Sequence, residues 1–543
     1  MIRAADLVVV PVVLPLVTGA SMLLLGGDRH RKLIAAVNIA VTFALVCVAI
    51  ALLRMSDASS TGLSEVYRLG DWPAPFGIVL VLDRLSGLML LLTSILALTT
   101  VLFSLSRWHR AGPHFHPLFQ FLLMGLNGAF LTGDLFNLFV FFELLLAASY
   151  GLVLHGSGPA RVKAGLHYIV MNLVASLLFL IGVSLIYGVT GTLNMADLAT
   201  RIPTLTGESR GLFEAGAGIL GIAFLLKSGM WPLCFWLPAA YAAASPPVAS
   251  IFAIMTKVGV YIVLRLSLLL FGEGAGLSAG FATNWLLFGG LATIVFGAIG
   301  TLASQSMGRL AAFSVLVSSG TVLAAIGMGH AGVTGGALFY LVSSTLGISA
   351  FFLLIELVER GREPGADMLA VTREAYETDD ETDEEEETGI ALPATMGLLG
   401  IAFIACTLII AGLPPLPGFI AKLALLAAAL HPPGSLQTDT ISPGSWVFIA
   451  VLILSGFATL IAMVRAGIRA FWASPDRTVP RVHVIEMAPI VFLLIICAAQ
   501  TVQAGPVMRF MQATALSLHA PDNYVHDVLR QSNEQDMRKA GGL

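Results

Sequence analysis

Charged side chains are scarce in this chain. Of its 543 residues, 11% are Asp, Glu, Lys or Arg and 57% are hydrophobic, whereas a soluble domain carries about 25% charged residues. The mean hydropathy is +0.89. This composition excludes a soluble globular protein and indicates an all-α polytopic membrane protein embedded in a lipid bilayer. No basic patch stands out that could bind nucleic acid.

Cysteine is also rare, and no metal-binding pattern is present. The four cysteines lie far apart in apolar runs, which is typical of buried, reduced thiols. The histidines of "HRAGPHFHP" (His109, His114 and His116) have no Cys or carboxylate beside them, so solvated histidines near the membrane surface are favoured over a metal site. Nucleophile arrangements and phosphate loops do not stand out either. We therefore predict no metal, no cofactor and no enzyme active site, and a transporter in their place.

Long apolar runs are abundant, and their lengths predict about fourteen transmembrane helices. We number them as spans 1 to 14, with the link at Gly133 as the least certain division. They lie near 6–26, 33–54, 83–105, 115–132, 134–155, 166–189, 212–236, 246–271, 284–303, 309–328, 333–359, 394–430, 445–472 and 485–505.

The distribution of charge predicts the orientation. The net charge of −4 includes ten acidic residues within 374–387, a run that is typical of a solvated loop. Loops after spans 1, 3, 5, 9, 11 and 13 hold thirteen Lys and Arg residues, against six on the opposite side. Basic loops face the cytoplasm, so the acidic run is predicted inside and both termini outside. The six opposite residues are Arg54, Arg68, Arg84, Arg201, Arg210 and Arg265.

Two spans are interrupted by residues that cannot continue a helix. Span 7 contains "KSGMWPLCFWLP" and span 12 contains "AGLPPLPGFIAK", and each break has a lysine beside it. Broken helices in corresponding positions indicate an internally repeated transporter. We predict two five-helix repeats, which are inverted because each has an odd number of spans. The resulting segments are 1–110 (spans 1–3), 111–275 (spans 4–8), 276–475 (spans 9–13, with an acidic loop at 360–393) and 476–543 (span 14 and a polar tail).

Ionisable residues inside the spans are the candidate functional residues. Glu143, Lys227, Lys257 and Lys422 fall deep in spans 5, 7, 8 and 12, where an unpaired charge costs about 2.5–3.5 kcal/mol. The alternative is that they snorkel or form static pairs, but the short side chain of Glu143 cannot reach the membrane surface. A Glu–Lys pair offsets much of the cost, and its proton occupancy shifts with each proton that arrives. Such a row is suited to a proton path.

The chain resembles the antiporter-like subunits shared by Mrp-type cation/proton antiporters and respiratory complex I. The resemblance covers roughly residues 80–480 and is carried by "LTGDLFNLFVFFELLLAASYGLVLHG", "FLLKSGMWPLCFWLPAAYAAASPPVASIFAIMTKVGVY", "GRLAAFSVL" and "GLPPLPGFIAKLALL". Within this group it is most similar to the D-type subunits of the Mrp, Mnh and Pha systems. The resemblance implies fourteen helices with inverted repeats, a Glu143–Lys227 pair, a central Lys257 and an exit residue, Lys422.

The sequence departs from the family pattern between the last two of these lysines. Many relatives have a histidine in span 10 where Ser318 stands, and "HSTLVK"-like residues in span 11 where this chain has "SSTLGI". A titratable bridge from Lys257 to Lys422 is therefore absent from the sequence. A water chain could replace it along the hydroxyl residues Ser314, Ser318, Ser319, Ser343, Ser344 and Thr345.

Three functions follow as expectations. The first is a subunit of a multisubunit antiporter that exchanges Na⁺ or another monovalent cation for H⁺ in a bacterial inner membrane, with subunits of types A, B, C, E, F and G as partners. The second is a proton-pumping subunit of complex I (NADH-quinone oxidoreductase) or a related membrane hydrogenase. The third is an inert scaffold, against which the full set of four charges argues.

Overall fold

A computed structural model describes residues 4–25, 30–58, 65–112, 114–360, 394–430, 442–471 and 482–529. Thirteen helices in these ranges are long and apolar enough to cross a membrane, and α4 is a shorter apolar helix of 17 residues. At about 1.5 Å per residue, α4 is about 26 Å long, close to the thickness of the hydrocarbon layer. The chain is thus a multi-pass membrane protein, as predicted.

The helices follow the predicted order, and two short helices are added to them. They are α1 (Val10–Leu24), α2 (Arg31–Ala58), α3 (Arg84–Ser104), α4 (Phe115–Leu131), α5 (Leu135–Val153), α6 (Pro159–Thr190), α7 (Met195–Arg201), α8 (Gly207–Ser228), α9 (Trp236–Ala243), α10 (Pro246–Phe271), α11 (Thr283–Ala303), α12 (Met307–Gly327), α13 (Ala331–Glu359), α14 (Ala394–Ala411), α15 (Pro417–Leu430), α16 (Pro443–Phe471), α17 (Val484–Val502) and α18 (Ala504–His519).

Three helices form the centre of the bundle. In α10, α12 and α13, 94% of the membrane-spanning window is buried, whereas about 40% is buried in most of the outer helices. A helix that is apolar around its whole circumference is suited to such a position. The centre therefore contains the helix of Lys257 and the two helices that carry the candidate hydroxyl residues.

Both predicted breaks are present. Span 7 divides into α8 and α9, and span 12 into α14 and α15. Gly229 ends α8 and Gly412 follows α14, with φ angles of +71° and +79°. Only glycine adopts this backbone region without strain. Because spans 4–8 and 9–13 each contain five crossings with the fourth one broken, the predicted fold class is confirmed.

Several small features add to the prediction. A two-stranded antiparallel hairpin, β1 (Glu65–Arg68) with β2 (Val79–Leu82), precedes α3. The division at Gly133 is right, because Asp134 caps α5 by accepting hydrogen bonds from the Phe136 and Asn137 amides. Past span 14, α18 packs against α13, where the sequence suggests only a polar tail. The acidic run 374–387 lies outside the described residues.

Candidate ion-translocation site

Glu143 and Lys227 lie on neighbouring helices, α5 and α8. Glu143 is half-buried and accepts a hydrogen bond from the Ser176 hydroxyl on α6. Lys227 is 5% exposed, and its Nζ lies over the ring of Phe142, the residue that precedes Glu143. The structure thus brings the two predicted partners into one region, with Ser176 orienting the carboxylate.

The ammonium of Lys227 has an unusual environment. Its Nζ lies 4.9 Å from the centre of the Phe142 ring and has no hydrogen-bond partner within the described residues. A cation over an aromatic face is stabilised by about 0.5–2 kcal/mol, far less than full hydration provides. The ammonium is therefore buried with an aromatic face beside it and no hydrogen-bond acceptor among the described residues.

Lys257 is the most buried of the three lysines, at 1% exposure. Its Nζ donates a hydrogen bond of 2.7 Å to Ser318 Oγ and is 3.4 Å from Ser319 Oγ, both on α12. Ser318 Oγ in turn lies 2.8 Å from Ser344 Oγ on α13. Two hydroxyl groups therefore connect the central lysine across three helices, from α10 to α13.

Only part of the predicted hydroxyl row faces Lys257. Ser318, Ser319 and Ser344 lie at the lysine or one hydrogen bond from it. The remaining three, Ser314, Ser343 and Thr345, donate to carbonyl groups of their own helices. The side chains that meet Lys257 are thus fewer than the sequence suggests.

Lys422, on α15, forms a hydrogen bond across the break between α14 and α15. It is 8% exposed, and its Nζ donates a hydrogen bond of 2.7 Å to the carbonyl of Ala411, the last residue of α14. Glycines 412 and 456 pass so close to its side chain that an added Cβ would lie 2.6 Å from Lys422 Cδ and 3.0 Å from Nζ, respectively. The ammonium therefore occupies a slot built from backbone.

The hydroxyl bridge ends on the helix that contacts the second break. Gly347 of α13 packs against Ile409 of α14, and Gly336 packs against Leu425 of α15. Ser344, three residues before Gly347, lies between these contacts along the helix. Hence α13 physically links the Lys257 bridge to the broken helix of Lys422.

A cavity of about 400 Å³ opens at the end of the bundle that the sequence places in the cytoplasm. We call it the Glu356 cavity; Ala249, Phe352, Glu356, Arg161 and Arg360 contribute to its lining.

Two serines lie next to this cavity. Ser250 follows the lining residue Ala249, and Ser349 lies one turn before the lining residue Phe352. Their hydroxyl oxygens are 2.5 Å apart. Ser250 precedes Lys257 by seven residues, so both occupy one face of α10. One buried hydroxyl pair thus lies between the cavity and the central lysine, about 10 Å from Lys257 along α10.

Sequence reasoning missed two groups of ion pairs, one around Arg360 and one around Arg265. Glu356 and Glu486 bind Arg360 at 2.7 Å, and Trp108 Nε1 donates to Glu356 at 2.5 Å. Arg265, counted above as a loop residue, is instead buried within α10 and forms a 2.8 Å ion pair with Asp83. The charge count treated Arg265 as a loop residue although the predicted span 246–271 contains it, and α10 has the same bounds. The sequence cannot show that a carboxylate from another span meets the arginine.

The pair at Asp83 also fastens α10 to α3. Burial by itself raises the pKa of Asp83, but Arg265 and the Ser86 hydrogen bonds lower it more, and the net shift is downward. Arg265 Nε also donates to Tyr261, whose hydroxyl donates to the Phe130 carbonyl. The site helix is therefore held at this end by a charged network.

The histidine interpretation needs a correction. His116 is 4% exposed and 2.7 Å from Asn38 Nδ2, so it belongs to a buried polar cluster between α2 and α4 rather than to a solvated surface. Its position two residues into a helix looks interfacial in sequence, yet the helix start is covered. Throughout the described ranges, no group of His, Cys, Asp and Glu side chains could hold a metal ion.

The family model for the NADH:quinone oxidoreductase/Mrp antiporter transmembrane family matches residues 132–434, more than half of the chain. The chain belongs to this family. The matched segment contains both broken helices and all four candidate residues, Glu143, Lys227, Lys257 and Lys422. Members of the NADH:quinone oxidoreductase/Mrp antiporter family among curated proteins extend the similarity to nearly the full length.

Two such relatives are informative, and both are D-type antiporter subunits by name. The probable K⁺/H⁺ antiporter protein of this type from Rhizobium meliloti (strain 1021) is 61% identical over 525 residues, which cover 96% of this chain and 97% of the relative. The Na⁺/H⁺ antiporter protein of this type from Alkalihalophilus pseudofirmus is 31% identical over 535 residues, covering 97% of this chain and 100% of the relative. The resemblance to the D-type subunits is thereby confirmed.

Solved structures agree with the fold. A chain of the Mrp complex from Dietzia sp. DQ12-45-1b matches with a TM-score of 0.80 and 26% identity, covering 97% of this chain and 99% of that one. A chain of respiratory complex I from Thermus thermophilus matches with a TM-score of 0.73, 22% identity, and coverage of 96% and 99%. The second likeness concerns the fold alone.

Proposed function

We propose that this chain is the D-type subunit of a multisubunit monovalent cation/proton antiporter in a bacterial inner membrane. In this proposal, protons move along Glu143, Lys227, Lys257 and Lys422, while partner subunits of the other types complete the exchange. Both termini face outward. The cation is Na⁺ or K⁺, since D-type relatives are named for each.

The observation that carries the proposal is the placement of the three buried lysines. One lies beside each broken helix and the third lies between them on the central helix α10. Each amine has few partners: none for Lys227 in the described structure, hydroxyls for Lys257, and one carbonyl for Lys422. Among the described residues no carboxylate lies within ion-pair distance of these amines, which favours release of their protons in this proposal.

The serine positions support a path to Lys257 from the cytoplasm. The Glu356 cavity has a carboxylate at its wall, and Ser250 and Ser349 follow it on α10 and α13. From Lys257, the path follows the hydroxyl groups of Ser318 and Ser344 to α13, which packs against the broken helix of Lys422. Hydroxyl groups both donate and accept hydrogen bonds, so they pass protons without taking a charge.

A complex I or hydrogenase component is the rival interpretation. It shares the fold, but the relative with 61% identity is named as part of an antiporter, which favours the antiporter. Genes for iron–sulfur subunits beside this one would favour the rival.

The test is expression in an antiporter-deficient bacterial host, with and without the neighbouring genes. Everted vesicles then report proton release on addition of Na⁺ or K⁺. We expect release driven by one of these cations with the complete gene set. Proton movement that needs electron transfer and ignores both cations would contradict the proposal.

A further inference from the structure

An apolar groove lies between α3, α13, α17 and α18. Its volume is about 360 Å³, and Leu53 of α2 completes one wall. Apart from Gln500 and Gln503, every side chain that lines it is apolar, and none is ionisable. The lining of the groove is therefore suited to an uncharged hydrocarbon segment.

The helix ends fix the depth of the groove in the bilayer. Gln500 lies two residues, or about 3 Å, from the end of α17, while Leu88 and Ile95 lie about 6 and 17 Å into α3. Spans 3 and 11 begin on the side where span 14 ends. The groove thus runs from the headgroup boundary to near the midplane of a hydrocarbon layer that is about 30 Å thick.

Gln500 is the unusual residue of this groove. It is 7% exposed, and neither its Nε2 nor its Oε1 has a hydrogen-bond partner within the described residues. An unpaired buried amide costs roughly 1–3 kcal/mol. Its neighbour Gln503 is exposed at the rim. A ligand with both an acceptor and a donor would satisfy Gln500.

The geometry points to a phospholipid-binding site, in which one acyl chain occupies the groove and the ester region meets Gln500. The ester carbonyl accepts from Nε2, and the headgroup N–H or O–H donates to Oε1. A partner helix fits less well, because its backbone groups are already bonded to one another and cannot pair with the amide.

The proposed lipid site lies directly behind Ser344 on α13. Val342 and Leu346 of α13 line the groove, and Ser344 between them faces Ser318 on the opposite side of the helix. A bound acyl chain would fill the space behind the hydroxyl bridge. The lipid therefore supports the position of Ser344 from behind.

The experiment uses the full chain, purified together with the subunits encoded beside it. A phosphatidylethanolamine with a photoreactive diazirine in its acyl chain is the probe, and labelled peptides are identified by mass spectrometry. We expect labels on α3, α13 and α17. Ala499→Trp, which fills the groove mouth, should lower this labelling at least fivefold; Ala498→Trp, exposed on the same helix but outside the groove, should not.

A second labelling experiment tests the role of Gln500. Gln500→Leu removes both hydrogen bonds to the lipid and should lower labelling by the ester lipid roughly fivefold to a hundredfold. A diether analogue lacks the carbonyl but keeps the headgroup donor, so Gln500→Leu should lower its labelling less than it lowers labelling by the ester lipid. The wild-type ester-to-ether comparison needs no variant and stands if Ala499→Trp fails to assemble.

Labelling that ignores both variants, or crosslinks that place a helix of a partner protein in the groove, would overturn the assignment. Because the readout is bound lipid, its failure is distinct from a failure of exchange.

Discussion

Lys422 is held by backbone alone within the described structure. Its ammonium donates to the Ala411 carbonyl, and Gly412 and Gly456 leave room only for the lysine side chain. A carbonyl stabilises the charged amine without being able to take its proton. In the proposed path, we expect the proton on Lys422 to leave toward water rather than to a fixed acid.

This arrangement gives the first prediction. Lys422→Ala should abolish exchange while the complex still assembles, because it removes the charge and leaves the surrounding backbone in place. Lys422→Arg should lose most activity, since arginine does not release its proton. Exchange in everted vesicles, normalised to assembled complex, is the measurement. An active alanine variant would remove Lys422 from the path.

Glu143 is expected to act through its charge on Lys227. Opposite charge favours the protonated amine, by about 1.4 kcal/mol for each pKa unit. Glu143→Gln keeps the size and the Ser176 hydrogen bond, so it should stop exchange with normal assembly. Glu143→Asp shortens the side chain by one methylene and should retain part of the activity. Wild-type exchange by the glutamine variant would make Glu143 a packing residue.

Ser318 offers a test with a matched control. Ser318→Ala removes the 2.7 Å acceptor of Lys257 and the link to Ser344, so exchange should fall at least about tenfold, as one lost charged hydrogen bond implies. Ser314→Ala, on the same helix, removes only a bond to the Leu310 carbonyl and should stay near wild type. Equal effects of the two variants would exclude a hydroxyl link.

At the residue scale, the sequence identifies the rare charges in apolar runs but not their partners. Glu143 and the three lysines stand out because a lone charge in a span is costly. Ser318 could be suspected from the family pattern, whereas Ser176 and Asp83 could not, because their roles depend on which helices meet. Glu356 lies near a helix end, where a carboxylate is unremarkable in sequence.

At the scale of the element, the broken helices depend on close backbone contact. A Cβ at Gly418 would overlap the Ile409 carbonyl of α14. Gly418→Ala should therefore push α14 and α15 apart and reduce the amount of assembled complex. Gly400→Ala on α14 meets nothing within 4 Å and should be neutral or slightly stabilising. Thermal unfolding of the purified complex compares the two, and equal stability would contradict this account.

The acidic run, which lies outside the described residues, is predicted from the sequence alone to be a solvated loop. Deletion of residues 377–387, outside the described ranges, should leave assembly and maximal exchange nearly intact, because a solvated loop contributes little packing. If the run attracts cations, the half-maximal cation concentration will rise. Loss of the assembled complex on deletion would contradict the loop interpretation.

The spans are well predicted because a transmembrane helix needs about twenty consecutive apolar residues, which gives a strong signal. The breaks are well predicted because proline cannot continue a helix. The hairpin of β1 and β2 was not predicted, because strands of four residues are too short to give such a hydropathy signal. The helix α18 was not predicted either, because the contact of its apolar face with α13 is visible only in the structure.

At the scale of the molecule, the outer helices expose many large apolar side chains. Leu166, Leu177 and Ile181 of α6 are between 51% and 62% exposed, surfaces that lipid or partner subunits can cover. We predict that the purified chain alone does not exchange ions in liposomes. Robust cation-dependent proton movement by this chain alone would contradict the multisubunit proposal.

The central helix α10 is fastened at three levels: Ser250 to Ser349, Lys257 to Ser318, and Arg265 to Asp83. A rod fixed at both ends and at its midpoint neither slides nor tilts easily. We therefore expect communication between the two predicted repeats to pass through the electric field at the Lys257 ammonium rather than through a movement of α10. We expect the α10 amides to exchange hydrogen slowly, and at the same rate with and without a cation gradient.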